Sequence, residues 1–407
     1  MMLYQKYVFE RPNPSVSRLS KHSFALTVAL TVNALLVQRT RGEDHVDLKF
    51  ENYQEEAGRI HVQTEGALFE VLVHPSVSVS GQFVYDSISG ATPNGGPPPM
   101  GSDQVPLSIM SDTRYAGSLA SSVRWGGNQT TTPQLAYSWE HDYQSSGIAL
   151  NHTMDFFEKN TTLALGAAYT HDNISPIAAD TSSTAYWQNR IEHKDTLDFL
   201  VGVTQLLGPK TILTANLSLG FADGYMADPY KGVRFDGYPG PNTLFREIRP
   251  NYRDKQVGYF SLTQFVTPLQ GSAELALRLY HDSYGIVSET VSASWFQKVG
   301  KYVVISPMFR FMNQSAADFY VIQLPGDPTL PPDDPAYVPI PEFYSADYRL
   351  SQMQTFTYGL SVMARIHKNL SIDLAYKRYV MMGTDGLTSQ SAYPTANVFT
   401  AGLNVWF

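Results

Sequence analysis

Apolar and polar residues alternate with a period of two along most of the chain after residue 43. In 211–221, leucine, alanine and phenylalanine occupy odd positions, whereas threonine, asparagine and serine occupy even positions. Such alternation is typical of a strand with one apolar face. Segments such as 355–366 contain 12 residues, longer than the five or six of ordinary strands and long enough for a tilted strand to cross a membrane.

The alternation predicts an all-β fold, a transmembrane antiparallel up-and-down β-barrel of about 16 strands, with a range of 14–18. The predicted strands are 44–54, 59–73, 76–88, 113–126, 132–145, 147–158, 161–173, 194–207, 211–224, 251–267, 271–283, 286–298, 301–314, 350–366, 369–382 and 393–407.

The lengths of the connections carry further information. Every even-numbered connection is short, and all the long ones fall at odd positions: 89–112, 174–193, 225–250, 315–349 and 383–392. Three odd connections, EEAG and those around Ser146 and Tyr284, are also short. Outer-membrane barrels have short periplasmic turns and long extracellular loops. We therefore expect a bacterial outer-membrane location with both chain ends in the periplasm.

Composition agrees with this fold and excludes several functions. Aromatic residues make up 13% of the chain and charged residues only 16%, against about 25% in soluble proteins. No run of 18 apolar residues predicts a membrane helix. The chain has no cysteine, which excludes disulfides, thiolate metal sites and CxxCH haem attachment. No cofactor, metal site or catalytic residue is predicted.

The first 42 residues resemble a secretory signal. A basic stretch precedes the short apolar run 24–37, although QRTRGED lacks an ordinary cleavage site. We expect a signal peptide over 1–42 and the barrel over 43–407. The signal holds six of the 29 basic and one of the 37 acidic residues, so the remainder has a net charge of −13. Such a surface repels nucleic acid.

The last predicted strand ends at the chain terminus with alternating apolar residues. Bacterial outer-membrane proteins typically end in this way with a terminal phenylalanine, which the barrel assembly machinery reads. The predicted assembly signal consists of Phe399, Leu403, Val405 and Phe407.

Charged residues opposite the apolar faces are predicted to line the lumen, because Lys or Arg on the lipid face costs about 2–4 kcal/mol near the midplane. Two alternatives remain open: a water-filled pore with opposing charges, or a lumen plugged by salt bridges. The predicted lumen charges are Asp47, Lys49, Glu51, Glu70, Asp86, Arg114, Arg124, Glu140, Asp142, Asp155, Asp198, Glu274, Arg278, Arg310, Arg365, Asp373 and Lys377.

The loop 221–241 combines acidic residues with tyrosines. It is predicted to be a constriction or recognition loop, with a turn-rich surface loop as the default. Loosely spaced oxygen ligands would also suit Ca²⁺, although the spacing matches no EF-hand. A weaker aspartate cluster lies at 327–334. The candidate residues of the first loop are Asp223, Tyr225, Asp228, Tyr230 and Lys231.

Two further motifs each allow a functional and a structural interpretation. The basic segment 246–255 could contact lipopolysaccharide phosphates from the barrel rim, or be an ordinary solvated strand end. His281 and Ser283 have the spacing of a membrane phospholipase, but no third catalytic residue is evident and the pair occurs easily by chance.

Several stretches resemble an uncharacterised bacterial family, known only as a domain of unknown function and taken to be outer-membrane proteins. Among them are ALFEV (67–71), YDSISGATP (85–93), DTRYAGSL (112–119), NQSAADFY (313–320), SADYRLS (345–351) and the longer stretch 198–233. The resemblance covers nearly all of the chain after residue 43 and implies a barrel, but no activity.

The leading functional hypothesis is a porin-like passive channel for small hydrophilic solutes. The alternative is a structural sheath that anchors a periplasmic or redox partner, and a more remote one is an outer-membrane hydrolase. Expected partners are outer-membrane lipid and lipopolysaccharide, the assembly machinery, and either further copies in a homotrimer or a periplasmic protein.

Overall fold

The computed structural model describes residues 44–175, 191–240 and 242–407. Sixteen antiparallel strands form a closed barrel. They are β1 His45–Glu55, β2 His61–His74, β3 Val77–Pro93, β4 Leu107–Trp125, β5 Gln129–Trp139, β6 Tyr143–Phe156, β7 Thr161–Ile174, β8 Glu192–Gly208, β9 Thr211–Gly224, β12 Tyr252–Val266, β13 Gly271–Asp282, β14 Val287–Val299, β15 Val303–Gln314, β17 Met353–His367, β18 Leu370–Gly383 and β19 Thr395–Trp406.

The barrel closes between the first and last strands, where His45 pairs with Trp406 and Glu55 with Ala396. Every other strand pairs with its sequence neighbours in the barrel, giving an up-and-down order. Full closure leaves no strand edge with unpaired backbone groups, which is the condition for a sheet to span a membrane.

The period of two separates an outer from an inner face. In β8, Leu197, Phe199, Val201 and Val203 are all at least 40% exposed, whereas the alternating residues 194, 196, 200 and 202 are buried. The exposed apolar side chains form the lipid-facing band of a membrane barrel. Among the described residues, no helix is long and apolar enough to span a bilayer.

The predicted fold class and strand count are confirmed, and most strand boundaries agree within three residues. The predicted connection around Ser146 is wrong, because Ser146 lies within β6 and pairs with Tyr137. The polar outward residues Gln144 and Ser146 imitate a turn at this point. The predicted signal peptide lies outside the described residues, as does most of the connection 174–193.

The barrel has a turn end, with the short connections, and a loop end. Three short strands in the long loops form a separate sheet, with β10 Gly232–Phe235 between β11 Phe245–Arg246 and β16 Gln323–Leu324. The sequence pattern did not predict them. In the described part of the chain, one-turn 3-10 helices occupy Thr267–Leu269, Tyr348–Leu350 and Gln390–Ala392.

Candidate functional site

Most of the predicted lumen charges lie on the inward face of the barrel strands. Their positions share the alternation phase of the buried residues and are opposite to the exposed apolar residues. Two exceptions follow from the shifted end of β5. Glu140 comes directly after the strand and is buried, and Asp142 lies in the turn before β6.

Several inward charges are paired with one another. Arg114 forms hydrogen bonds and an ion pair with Asp86, and its Nε lies 3.9 Å from Glu140 Oε1. Lys49 Nζ lies 3.8 Å from Asp373 Oδ2, on strands separated by β19. The wall therefore contains salt bridges between nearby strands, and the two alternatives of a water-filled and a plugged lumen stay open at this point.

A more deeply buried ion pair lies among residues that were not predicted as lumen charges. Lys194 Nζ lies 2.8 Å from Asp172 Oδ2, and both side chains are at most 3% exposed. Tyr143 donates a hydrogen bond of 2.6 Å to the same carboxylate oxygen. Both charged residues occupy even positions of their strands, in phase with the inward face, so the alternation could have located them.

Asp112, Glu140 and Asp142 bring carboxylate oxygens within 4.8 Å of one another, a geometry that could hold a cation. Two of these groups also contact the protein: Arg114 approaches Glu140, and the Tyr230 hydroxyl donates to Asp142 at 3.2 Å. The group thus links the barrel wall to the loop 225–240.

The loops at the open end of the barrel fold together into a structure that we term the loop plug, comprising residues 225–240, 242–251 and 315–352. Its 3-10 helix contributes Tyr348 to an apolar cluster with inward-facing side chains of seven strands, and Tyr230 packs against the same cluster. The strand members include Tyr53, Ile88, Met110, Met312, Met353, Tyr379 and Ala396. The plug therefore occupies the barrel mouth.

Four of the five predicted loop residues belong to the loop plug. Lys231 is buried, donates to Thr92 Oγ1 at 3.0 Å and to the Pro93 carbonyl oxygen, and lies 5.6 Å from the Tyr348 ring centroid. Burial raises the pKa of Tyr225 to about 12. Asp223 is the exception, because it is exposed at an outward position of β9.

Five charged residues form a buried network inside the loop plug. Asp347 accepts hydrogen bonds from Arg349 Nε at 2.7 Å and from Arg249 Nη2 at 2.9 Å. Arg249 also binds Glu247 at 2.7 Å, and Arg349 also binds Asp228. Asp228 and Arg349 are 121 residues apart in sequence. The network therefore ties the two halves of the plug together.

Electrostatics in the network follow from burial and pairing. Burial opposes ionisation of Asp347, but the guanidinium groups of Arg349 and Arg249 outweigh it and hold the pKa of that carboxyl well below its usual range. The pKa of Asp228 is lowered in the same way, mainly by Arg349. Burial dominates at Glu247, where the nearby carboxylates add to it, so its pKa is raised despite Arg249.

The basic residues of the segment 246–255 differ in burial, and its contact with lipopolysaccharide stays a prediction. Arg246 is exposed and lies 5.1 Å from the Tyr225 ring centroid. Arg249 is buried in the plug network, and Arg253 is buried against Asp282, to which its Nε donates at 2.8 Å. Lys255 faces inward, opposite Gly220. Arg249 and Arg253 are thus held by carboxylates, and Lys255 follows the inward phase of β12, so these three side chains do not lie on the outer rim.

The predicted Ca²⁺ ligands do not converge. Asp223 faces outward, Asp228 binds Arg349, and Asp236 accepts from the Gly326 amide. In the later cluster, Asp327 and Asp334 cap separate exposed turns. The aspartates of both loops therefore serve the loop structure.

His281 and Ser283 are both exposed at the loop end of β13. Ser283 Oγ accepts a hydrogen bond from the Asp254 amide. Among the described residues, no acidic partner approaches His281 in the manner of a catalytic triad. At the chain terminus, Phe399 and Phe407 are exposed, and Leu403 and Val405 share their outward phase on the strand that closes the barrel.

Several solved structures match the chain at low sequence identity. The siderophore receptor PirA from Pseudomonas aeruginosa is 11% identical with a TM-score of 0.43; the match covers 90% of this chain and 62% of the receptor. CdiB from Acinetobacter baumannii is 7% identical with a TM-score of 0.48, covering 90% and 61%. A bacterial polysaccharide outer membrane secretin is 7% identical with a TM-score of 0.47, covering 91% and 100%. The chain thus spans less than two thirds of the first two.

None of the curated proteins matches the sequence. The family described as "Protein of unknown function (DUF3570)" matches residues 17–407, which include every described strand. This agrees with the resemblance carried by stretches such as SADYRLS, which lies in the loop plug and contains Asp347 and Arg349. The chain belongs to this family of unknown function.

Proposed function

We propose that the protein is an outer-membrane channel for small hydrophilic solutes whose extracellular mouth is closed by its own loops, with both chain ends in the periplasm. The channel is passive and carries out no chemical turnover. In this proposal the lumen beneath the loop plug holds water, and solute passage requires the plug to loosen.

The observation that carries the proposal is the small size of the inward side chains below the plug. From β4 to β9, the inward positions are mostly serine, threonine, alanine and glycine, as in Ser118, Ala136, Ala164 and Gly202. Eight strands already make a barrel just wide enough for side chains to fill, whereas sixteen leave room for an aqueous channel. Small side chains therefore support a hydrated lumen in the lower part of this barrel.

The distribution of charge supports the same proposal. Lys255, Arg278 and Arg310 face inward from β12, β13 and β15. Eight strands away around the barrel are β2, β3 and β5, with Glu70, Asp86 and Glu140 on or next to them. Arg114 on β4 offsets part of the acidic charge of Asp86 and Glu140. Opposed charges across a narrow lumen create a transverse field, which orients dipolar solutes and favours one sign of ion.

Planar-bilayer recording tests the proposal. The purified protein is compared with Asp347→Asn, which removes a carboxylate shared by Arg249 and Arg349, and with Asp333→Asn as a matched control in an exposed turn. We expect small or rare conductance steps from the unaltered protein and from the control, and larger or more frequent steps from Asp347→Asn.

If none of the three proteins produces conductance steps, the proposed channel function is contradicted. If a soluble partner also co-purifies with the barrel, the structural sheath becomes the better account. Conductance that is equally large in all three would retain the channel but remove closure by the plug.

A further inference from the structure

Two arginines project into the lumen close together, directly below the loop plug. Arg278 on β13 pairs across the ladder with Thr290 on β14, and Arg310 on β15 pairs with Ser292 on the same strand. Thr290 and Ser292 are successive inward residues of β14. The two arginines therefore stand on either side of one strand, with two hydroxyl side chains between them.

Neither arginine has a carboxylate partner among the described residues. Arg310 Nε is buried without a hydrogen-bond partner. The Arg278 guanidinium lies 5.7 Å from the ring centroid of Tyr280. The positive charge of Arg310 acts on it electrostatically. By contrast, Arg114 is paired with Asp86 and Arg253 with Asp282.

This arrangement is costly unless something compensates for it. Both side chains are partly buried, and partly desolvated like charges repel each other more strongly than they would in water. Arginine presents a planar fork of donors that fits carboxylate and phosphate groups in a bidentate manner. Hydroxyl groups add neutral donors of the kind found in anion sites.

We propose that Arg278 and Arg310, with Thr290 and Ser292 between them, form a binding site for the anionic group of a solute, either a carboxylate or a phosphate. This inference rests on the proposed channel, because it names the class of solute that the lumen recognises. The site accounts for two unpaired guanidinium groups that the wall itself does not neutralise.

The position of the site also connects it to the loop plug. The next inward residue above Arg278 is Tyr280, which packs in an apolar cluster with Leu350 of the plug. The next inward residue above Arg310 is Met312, in the cluster that contains Tyr348. A bound anion would therefore lie against the floor of the plug.

Isothermal titration of the folded protein in detergent tests the site, with inorganic phosphate and succinate as separate probes. The probe that binds more tightly identifies the anionic group as a phosphate or a carboxylate. A single Arg278→Gln or Arg310→Gln change should weaken binding about tenfold, the usual loss for a hydrogen bond to a charged group. The double glutamine variant should show no measurable binding.

Two controls sharpen the result. Arg365→Gln removes another inward arginine, one that is exposed at the turn end and donates to the Lys368 carbonyl oxygen, and it should leave both affinities unchanged. The double lysine variant keeps the charge without the fork and should retain part of the affinity. Heat-modifiable gel migration shows whether each variant is folded.

The inference is overturned if neither probe binds the unaltered protein, or if the double glutamine variant binds them equally well. Calorimetric titration does not depend on conductance, so the test of the binding site and the test of the channel can fail independently. Binding that depends on the two arginines without conductance would retain the site and remove the channel, and conductance without such binding would do the reverse.

Discussion

The two halves of the barrel interior are built in different ways. At the loop end, side chains such as Met353, Ala396 and Val233 have no exposed surface, and charged groups occur in a shared network. Further toward the turn end, inward positions carry small polar residues, the ion pair between Lys49 and Asp373, and arginines that have no carboxylate partner among the described residues. The strand pattern is the same in both halves, so the difference comes from the loops that enter one end and not the other.

This contrast shows what each kind of charge does. Burying ion pairs costs desolvation energy, which is recovered only when geometry and hydrogen bonding are good. In the loop plug, each of the two guanidinium groups meets two carboxylates, so the network fixes one arrangement of two long loops. In the lower lumen, we propose that the charges of Arg278 and Arg310 are available to a solute.

The largest expected effect comes from breaking the plug network with Asp347→Asn. The change removes the carboxylate that Arg249 and Arg349 share, and breaking a buried pair costs about 3–5 kcal/mol. We expect amide exchange in the plug, for example at Val321 and Leu350, to accelerate by about 10²- to 10³-fold. Mass-spectrometric hydrogen exchange measures this, and unchanged rates would mean that the network does not hold the plug.

A smaller effect is expected from Lys231→Gln. The change removes the cation that binds Thr92 and the Pro93 carbonyl oxygen, and hydrogen bonds to charged groups contribute about 1.5–3 kcal/mol. Exchange at 231–235 should accelerate by roughly tenfold to a hundredfold. Lys298→Gln, at an exposed position near the turn end, is the control and should leave these amides unaffected.

Thiol labelling compares the two halves directly, because the chain has no cysteine. Ser294→Cys at an inward position of the lower lumen should react with a charged, membrane-impermeant reagent at least tenfold faster than Ala396→Cys in the plug cluster. Val291→Cys on the outward face of β14 should be protected by lipid. Equal rates at 294 and 396 would contradict the contrast between the halves.

The smallest expected effect is the pH dependence of amide exchange in the loop plug. The pKa values of Asp347 and Asp228 are lowered, so the two carboxylates stabilise the plug at pH values above their ordinary pKa of 3.8. This stabilisation is lost as the pH falls below 3.8 and the carboxylates become protonated. The raised pKa of Glu247 works in the opposite direction, since protonation above its ordinary value of 4.5 relieves a penalty. Plug exchange, corrected for its intrinsic pH dependence, should slow by a few fold on acidification toward pH 4.5 and accelerate below about pH 3.8.

The Glu247→Gln variant separates these contributions. It should lack the slowing on acidification toward pH 4.5 and keep the acceleration below pH 3.8. Acceleration that begins near neutral pH in both proteins would show that other groups control the plug.

The barrel wall could be predicted from sequence because it depends on local alternation. Residues such as Leu197 and Val203 face lipid, and charges such as Asp198 face inward, wherever a strand keeps its phase. The error at Ser146 arose where the outward face leaves the apolar band and polarity no longer distinguishes strand from turn.

The loop plug could not be predicted in the same way. Its contacts join residues far apart in sequence, such as Asp228 with Arg349 and Lys231 with Thr92, and no period relates them. The stretch SADYRLS supplies Asp347 and Arg349. Its sequence indicates the family resemblance but does not predict the buried network that these two residues form. Arg249 was assigned to a surface because a basic run resembles a solvated one until its carboxylate partners are known.

The sequence by itself determined that this chain forms a membrane barrel of about sixteen strands with its charges turned inward. Strand length, phase and connection length are local properties that the bilayer and the closed sheet enforce. The tertiary structure alone decided that the loops close one end, that some inward charges are neutralised there, and that Arg278 and Arg310 meet no carboxylate among the described residues. Those outcomes depend on which distant side chains meet, and folding in three dimensions settles that.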